Sequence, residues 1–140
     1  MGQGVIKSLH ASSLNLTVLS ADISPFNAGL YRTSESFLIP KVEESWARQH
    51  ISYLIAKKEI DILMIGSEFE LEFFSRHKDR IEADTGVLIV ASSLKTVEIS
   101  NDKWLTTEFL RENGLPYAEA FVPENVDESI AKARDWGFPI

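Results

Sequence analysis

Four short stretches of this 140-residue chain hold residues whose type and position could do chemistry. Gly2-Gln3-Gly4 opens a helical pattern, and glycines at a helix start leave backbone N–H groups and the positive end of the dipole facing an anion. A dinucleotide fingerprint needs a strand in front of such glycines, and only Met1 stands there, so a turn that lets a helix pack closely on a sheet is the competing explanation. Asp22 closes a strand, at the edge where open α/β sheets bind ligands and an acid can hold a ribose hydroxyl; a turn-forming aspartate ahead of Pro25 is the competing and slightly favoured explanation. Glu68 and Glu70 follow another strand and could hold a substrate amine. A capping box between Ser67 and Glu70 would account for both of those residues and leave Glu68 over. Lys103 falls in the first turn of a helix, where a cation opposes the dipole, so a phosphate partner would explain it as well as a solvated surface position does.

None of these makes a catalytic set. Neither a nucleophile with a positioned base nor a convergent carboxylate pair can be read from the spacing. His10, His50 and His77 are scattered without a second ligand at helical spacing, and the absence of cysteine removes disulfides and thiolate sites.

The elements that must position these residues alternate. Val5, Ile6 and Leu9 predict a helix from Gln3 to about Ser13, and Asn15 to Asp22 a strand. Pro25, Asn27 and Gly29 mark a long loop over 24–36 before a short strand, Phe37-Leu38-Ile39-Pro40. The next helix should carry Glu43 and Glu44 in its first turn, Lys57-Lys58 in its last, and Trp46, Ile51, Leu54 and Ile55 on its buried stripe. Asp61 to Gly66 and Gly86 to Ala91 read as strands covered on both faces, with a helix between them whose inner face is Leu71, Phe74 and Ile81. Ser100 to Lys103 should cap a helix bearing Trp104, Leu105, Phe109 and Leu110, ended by Gly114. Tyr117 to Val122 reads as a further strand, Asp127 to Trp136 as a helix stopped by Gly137, and Gly137-Phe138-Pro139-Ile140 as the opening of a strand. All three tryptophans take core-like positions. The pattern predicts an α/β fold, an open parallel doubly wound sheet with helices on both faces, followed by a short βα segment.

Composition narrows the function classes. Twenty-one acidic residues against fourteen basic ones give a net charge of −7, and no basic cluster exists to neutralise phosphates, so no nucleic-acid partner is expected. Hydrophobic residues at 44% and charged ones at 25% are ordinary for a globular domain, and no apolar run reaches membrane-span length. A start without a charged segment and apolar core points to the cytoplasm.

The order of motifs resembles a family. Gly2-Gln3-Gly4-Val5-Ile6-Lys7-Ser8-Leu9, the strand ending in Asp22, Phe37-Leu38-Ile39-Pro40 and Ile60-Asp61-Ile62-Leu63 look like the N-terminal domain that precedes ATP-grasp in carbamoyl-phosphate-synthase large chains and related carboxylate–amine ligases. Asn101-Asp102-Lys103-Trp104-Leu105-Thr106-Thr107, then Leu110 to Pro116, is similar to the stretch leading into ATP-grasp. Gly137-Phe138-Pro139-Ile140 looks like the start of the strand bearing that domain's first lysine. The resemblance implies a pre-ATP-grasp, Rossmann-like domain over 1–113 lacking its first strand, and an incomplete start of ATP-grasp over 114–140. It further implies ATP and magnesium as cofactors of the full-length protein, a small carboxylate and an amine as substrates, and an acyl-phosphate intermediate. Lys103 then matches a position that reaches nucleotide phosphates, while Gly2, Gly4, Asp22, Glu68 and Glu70 fall on the substrate side.

The glycine-rich loop and magnesium-binding acids of that family are not in this sequence, so the fragment is expected to be inactive alone and to bind no cofactor tightly. The family's first strand would lie mid-sheet; its absence leaves backbone groups unpaired at ~1–3 kcal/mol each if buried, unless neighbours close up or another segment fills the gap. We expect that segment to lie upstream. A freestanding nucleotide- or effector-binding α/β module without catalysis is the alternative, and a purely structural domain that dimerises through its sheet edges is a third.

Overall fold

The structure, a computed structural model, describes residues 2–137. It divides into two compact units, one ending at Val97 and one starting at Glu98.

The centre of the first unit is a strand–helix–strand run. Two short apolar strands, β3 (Ile62–Met64) and β4 (Leu88–Val90), pair in parallel with Leu63 opposite Ile89. Parallel strands need a long crossover, and the 18-residue helix α3 (Glu68–Thr85) supplies it. Gly86 ends that helix in the left-handed region at φ 78°, which a side chain rarely adopts, and donates to Glu82 O at 2.8 Å. The Glu82 carboxylate in turn accepts the Ile89 N–H at 2.8 Å, tying helix to strand. One face of the pair packs on α3 and on α2 (Ala47–Lys57), and the core there is Ile51, Ile55, Phe74, Ile81, Val87 and Ile89. Each such side chain contributes ~1.5–3 kcal/mol by leaving water. The opposite face is bare: Ile62, Met64, Leu88 and Val90 remain 45–55% exposed.

A second parallel pair, β1 (Leu19–Asp22) and β2 (Glu35–Leu38), runs Leu19 opposite Glu35 to Asp22 opposite Leu38. A 3₁₀ helix over Ala28–Arg32 connects them, and Ser20 and Thr33 hydroxyls meet at 2.7 Å to fasten its end to β1. Helix α1 (Gly2–Ala11) packs on that connection. The strands thus form an α/β arrangement in two parallel pairs, with β1 and β3 in different sheets.

In the second unit, α5 (Lys103–Glu112) starts at Asp102, whose carboxylate accepts the Leu105 N–H at 2.9 Å. Gly114, at φ 65°, follows its end. Helix α6 (Val126–Trp136) is capped by Asn125 and stopped at Gly137, φ 76°. A short helix, α4 (Leu94–Asn101), spans the junction of the units and has no counterpart among the expected elements.

Several expectations are corrected. Glu43 and Glu44 precede α2 in a turn, where the Glu44 carbonyl accepts the Ala47 N–H at 2.9 Å, because the fully buried Ala47 sets the helix start. Trp46 and Trp104 are 50% and 37% exposed and so are not core; Trp46 meets His50 edge-on at 5.3 Å instead. Residues 117–122 form no strand, since the second unit offers no strand to pair with among the described residues. The strand expected from Gly137 lies, beyond that glycine, outside the described residues.

Candidate functional site

The carboxyl ends of β1 and β3 open into one cavity of about 680 Å³ within the first unit. Its apolar floor comes from Ile6, Leu19, Leu63, Ile51 and Phe74, and its polar rim from Asp22, Asn27, Lys41, Glu43, Ser67 and Glu70. Such a mix of apolar lining and a few polar groups is what small-molecule sites present.

Asp22 reaches the rim because β1 ends there. Its Oδ1 accepts the Ser24 N–H at 2.9 Å and the Asn27 side-chain amide at 2.6 Å, so the carboxylate builds the turn that follows while still lining the cavity. The turn-forming explanation of Asp22 is thus the one its contacts show. Glu70 arrives from the first turn of α3. The expected capping box is not formed: Ser67 sits at the N-cap with no side-chain bond, and only its carbonyl meets the Glu70 N–H, at 3.4 Å. The Glu70 carboxyl is thereby released to the rim. Burial, then the nearby Asp22 and Glu43 carboxylates, push its pKa above the ordinary value. A carboxyl of this kind holds its proton longer than a solvated one and can donate as well as accept a hydrogen bond.

The glycines divide. Gly2 lies against Gly66, donating its N–H to the Gly66 carbonyl at 2.9 Å, so that amide is used inside the protein. A Cβ on Gly66 would stand 3.0 Å from the Gly2 Cα, which is the close helix-on-strand packing the glycines permit. Gly4 is exposed with open space around it, and Glu68 is exposed and absent from the cavity lining. The structure therefore brings together Gly2, Asp22 and Glu70 but not Gly4 or Glu68. Lys41, which sequence reasoning passed over, and Glu43, which it placed in a helix turn and not at a site, join them; two charges in a loop after β2 gave no motif to find them by.

Lys103 belongs to the second unit, exposed at the first residue of α5. That unit has its own cleft of about 280 Å³, walled by Trp104, Arg111, Tyr117, Phe121, Lys132 and Trp136. Phe121 meets Trp136 edge-on at 5.5 Å and the Lys132 ammonium lies 5.1 Å over the same indole. Among the described residues no three His, Asp or Glu side chains converge as a metal site would need. One exposed lysine with no converging acids does not make an ATP–magnesium site, and no chemical step through that cofactor follows from these residues.

No family model matches the chain. Over 99% of its length it is 22% identical to the carbamoyl phosphate synthase arginine-specific large chain of Cutaneotrichosporon cutaneum and 24% identical to the mitochondrial one of Neurospora crassa. It spans 12% of each relative. Among solved structures, the biotin carboxylase domain of the Hydrogenobacter thermophilus 2-oxoglutarate carboxylase, a dimer in complex with MgADP, ADP and bicarbonate, superposes with a TM-score of 0.61 at 18% identity. The biotin carboxylase subunit of a pyruvate carboxylase gives 0.58, also at 18%. Both matches cover 99% of this chain and 31% of the other. In fold the chain fits the N-terminal domain of an ATP-grasp ligase. No helix among the described residues is long and apolar enough to cross a membrane.

Proposed function

We propose that this chain is the substrate-side N-terminal domain of an ATP-dependent carboxylate–amine ligase, of the kind that forms carbamoyl phosphate. One observation carries the reading: similarity to carbamoyl phosphate synthase large chains runs from end to end of the chain while covering only 12% of theirs. The pre-ATP-grasp part is residues 1–113, and 114–140 begin the ATP-grasp domain. In the whole enzyme a carboxylate would take the γ-phosphoryl of ATP to give an acyl phosphate and ADP, and an amine would then displace phosphate. Magnesium and the nucleotide would be held mainly outside this chain, with Lys103 reaching the phosphates. Gly2, Gly4, Asp22, Glu68 and Glu70 are assigned to the substrate side, where the rim carboxyls suit an amine or hydroxyl better than an anion. The fragment alone is inactive, and a cytoplasmic location and a homodimer through sheet edges belong to the same reading.

The test is calorimetry of ATP–magnesium binding to this chain and to one extended into the downstream region. Binding by the extended chain only, lost in its Lys103→Ala variant, is the expected result. Tight binding by the 140 residues alone would overturn it and favour a self-sufficient nucleotide-binding module.

A further inference from the structure

A two-stranded parallel pair leaves each strand with one unpaired side, and the alternation of the ladder fixes which backbone groups stand there. The Leu88 N–H donates to the Asp61 carbonyl at 2.8 Å, so Leu88 and Val90 turn their backbone groups toward β3. Val87, Ile89 and Ala91 then turn theirs to the outer side of β4, where no further strand stands among the described residues.

That edge is nonetheless occupied, by side chains of α3. The Glu82 carboxylate accepts the Ile89 N–H at 2.8 Å and the Thr85 hydroxyl accepts the Val87 N–H at 3.3 Å. The Lys78 ammonium donates to the Ala91 carbonyl at 3.2 Å. The Ile89 carbonyl is met by the Ala91 N–H at 3.0 Å as the chain turns away. Lys78, Glu82 and Thr85 follow one another at four- and three-residue spacing, which makes them one row along α3, and Lys78 lies 3.9 Å from Glu82. One helix face thus offers β4 the donor and acceptors that a neighbouring strand would.

The strand under this row has reason to be covered. Val87-Leu88-Ile89-Val90-Ala91 is apolar, uncharged and rich in β-branched residues, and Leu88 and Val90 are 55% and 50% exposed. An open edge of that composition is a template for pairing with an identical strand.

We propose that the row Lys78, Glu82 and Thr85 is an edge guard, which stands in for a strand and so keeps β4 from adding the β4 of a second copy of this chain. A second copy is the partner excluded because a twofold axis would set this uncharged strand against itself. The guard takes β4 out of the sheet-edge homodimer proposed above. It is independent of the ligase reading, which the nucleotide titration tests separately.

The test follows the full chain and its Glu82→Ala, Glu82→Gln and Lys78→Ala variants by sedimentation over a wide range of concentration, and by amide exchange at Ile89. Glu82→Ala should exchange that amide about 10-fold faster when dilute, then associate on concentration with the amide protected again. Glu82→Gln keeps a side-chain carbonyl for the Ile89 N–H and should hold the oligomeric state of the unaltered chain. Lys78→Ala opens only the Ala91 end of the row, and should associate more weakly than Glu82→Ala. A folded Glu82→Ala chain that does not associate at any concentration would overturn the proposal, as would association that leaves Ile89 exchanging fast. Where Glu82→Ala does not fold, Lys78→Ala decides, and its failure to associate has the same meaning. Pairing through β4 already present in the unaltered chain would overturn the guard outright.

Discussion

Leu88 and Ile89 are neighbours on β4 and differ in one respect that a substitution can read. Ile89 is fully buried among Ile81 and Phe74, while Leu88 points to the bare face and is 55% exposed. Truncating Ile89 to Ala removes buried methylenes and leaves a cavity, at a cost of ~2–5 kcal/mol. Leu88→Ala forfeits less than half of a full leucine burial, so it should cost at most ~1 kcal/mol. For a urea slope of ~1.5 kcal/mol per M, Ile89→Ala lowers the midpoint by at least ~1.3 M and Leu88→Ala by less than ~0.7 M. Two units make a global signal ambiguous, so the assay uses Trp46 as sole tryptophan, with Trp104 and Trp136 replaced by Phe, and follows its fluorescence. Equal losses for the two variants would refute the one-sided packing of this sheet.

Three other expectations follow from single contacts. Glu70 has a raised folded-state pKa, so its stabilising contribution is complete below the ordinary value of 4.5 and is lost as pH rises through the folded value. Glu70→Gln should flatten that stretch of the pH–stability curve and raise stability at neutral pH; a curve unchanged in shape would contradict the placement of Glu70. Asp102→Ala removes the α5 cap and should cost ~1 kcal/mol, seen as lower helicity and an earlier thermal transition in the second unit. Gly66→Ala crowds the Gly2 Cα and should loosen α1, lowering protection of the α1 amides without moving those of α3; wild-type protection of α1 would show that the contact yields freely.

The apolar runs of β3 and β4 and the crossover between them were legible because each is local, a run or a period, whereas Gly86, read as the start of a strand, proves to be the left-handed stop of α3. The start of α2 was not, since Ala47, a small residue, is fully buried there, and burial depends on partners distant in sequence. Ser67 shows the same limit in reverse, for a motif that permits a capping box does not oblige its side chains to form one. At the candidate site, Asp22 and Glu70 could be placed at strand ends from the pattern alone. That they and Glu43 share one rim could not, because three separate elements deliver them.

Each strand pair joins strands that are consecutive in the chain, β1 to β2 through the 3₁₀ helix and β3 to β4 through the longer crossover α3. Such near-neighbour closures lose little chain entropy, so either pair can assemble without waiting for the other. On topology alone, the two pairs are then expected to form as separate local units before they meet.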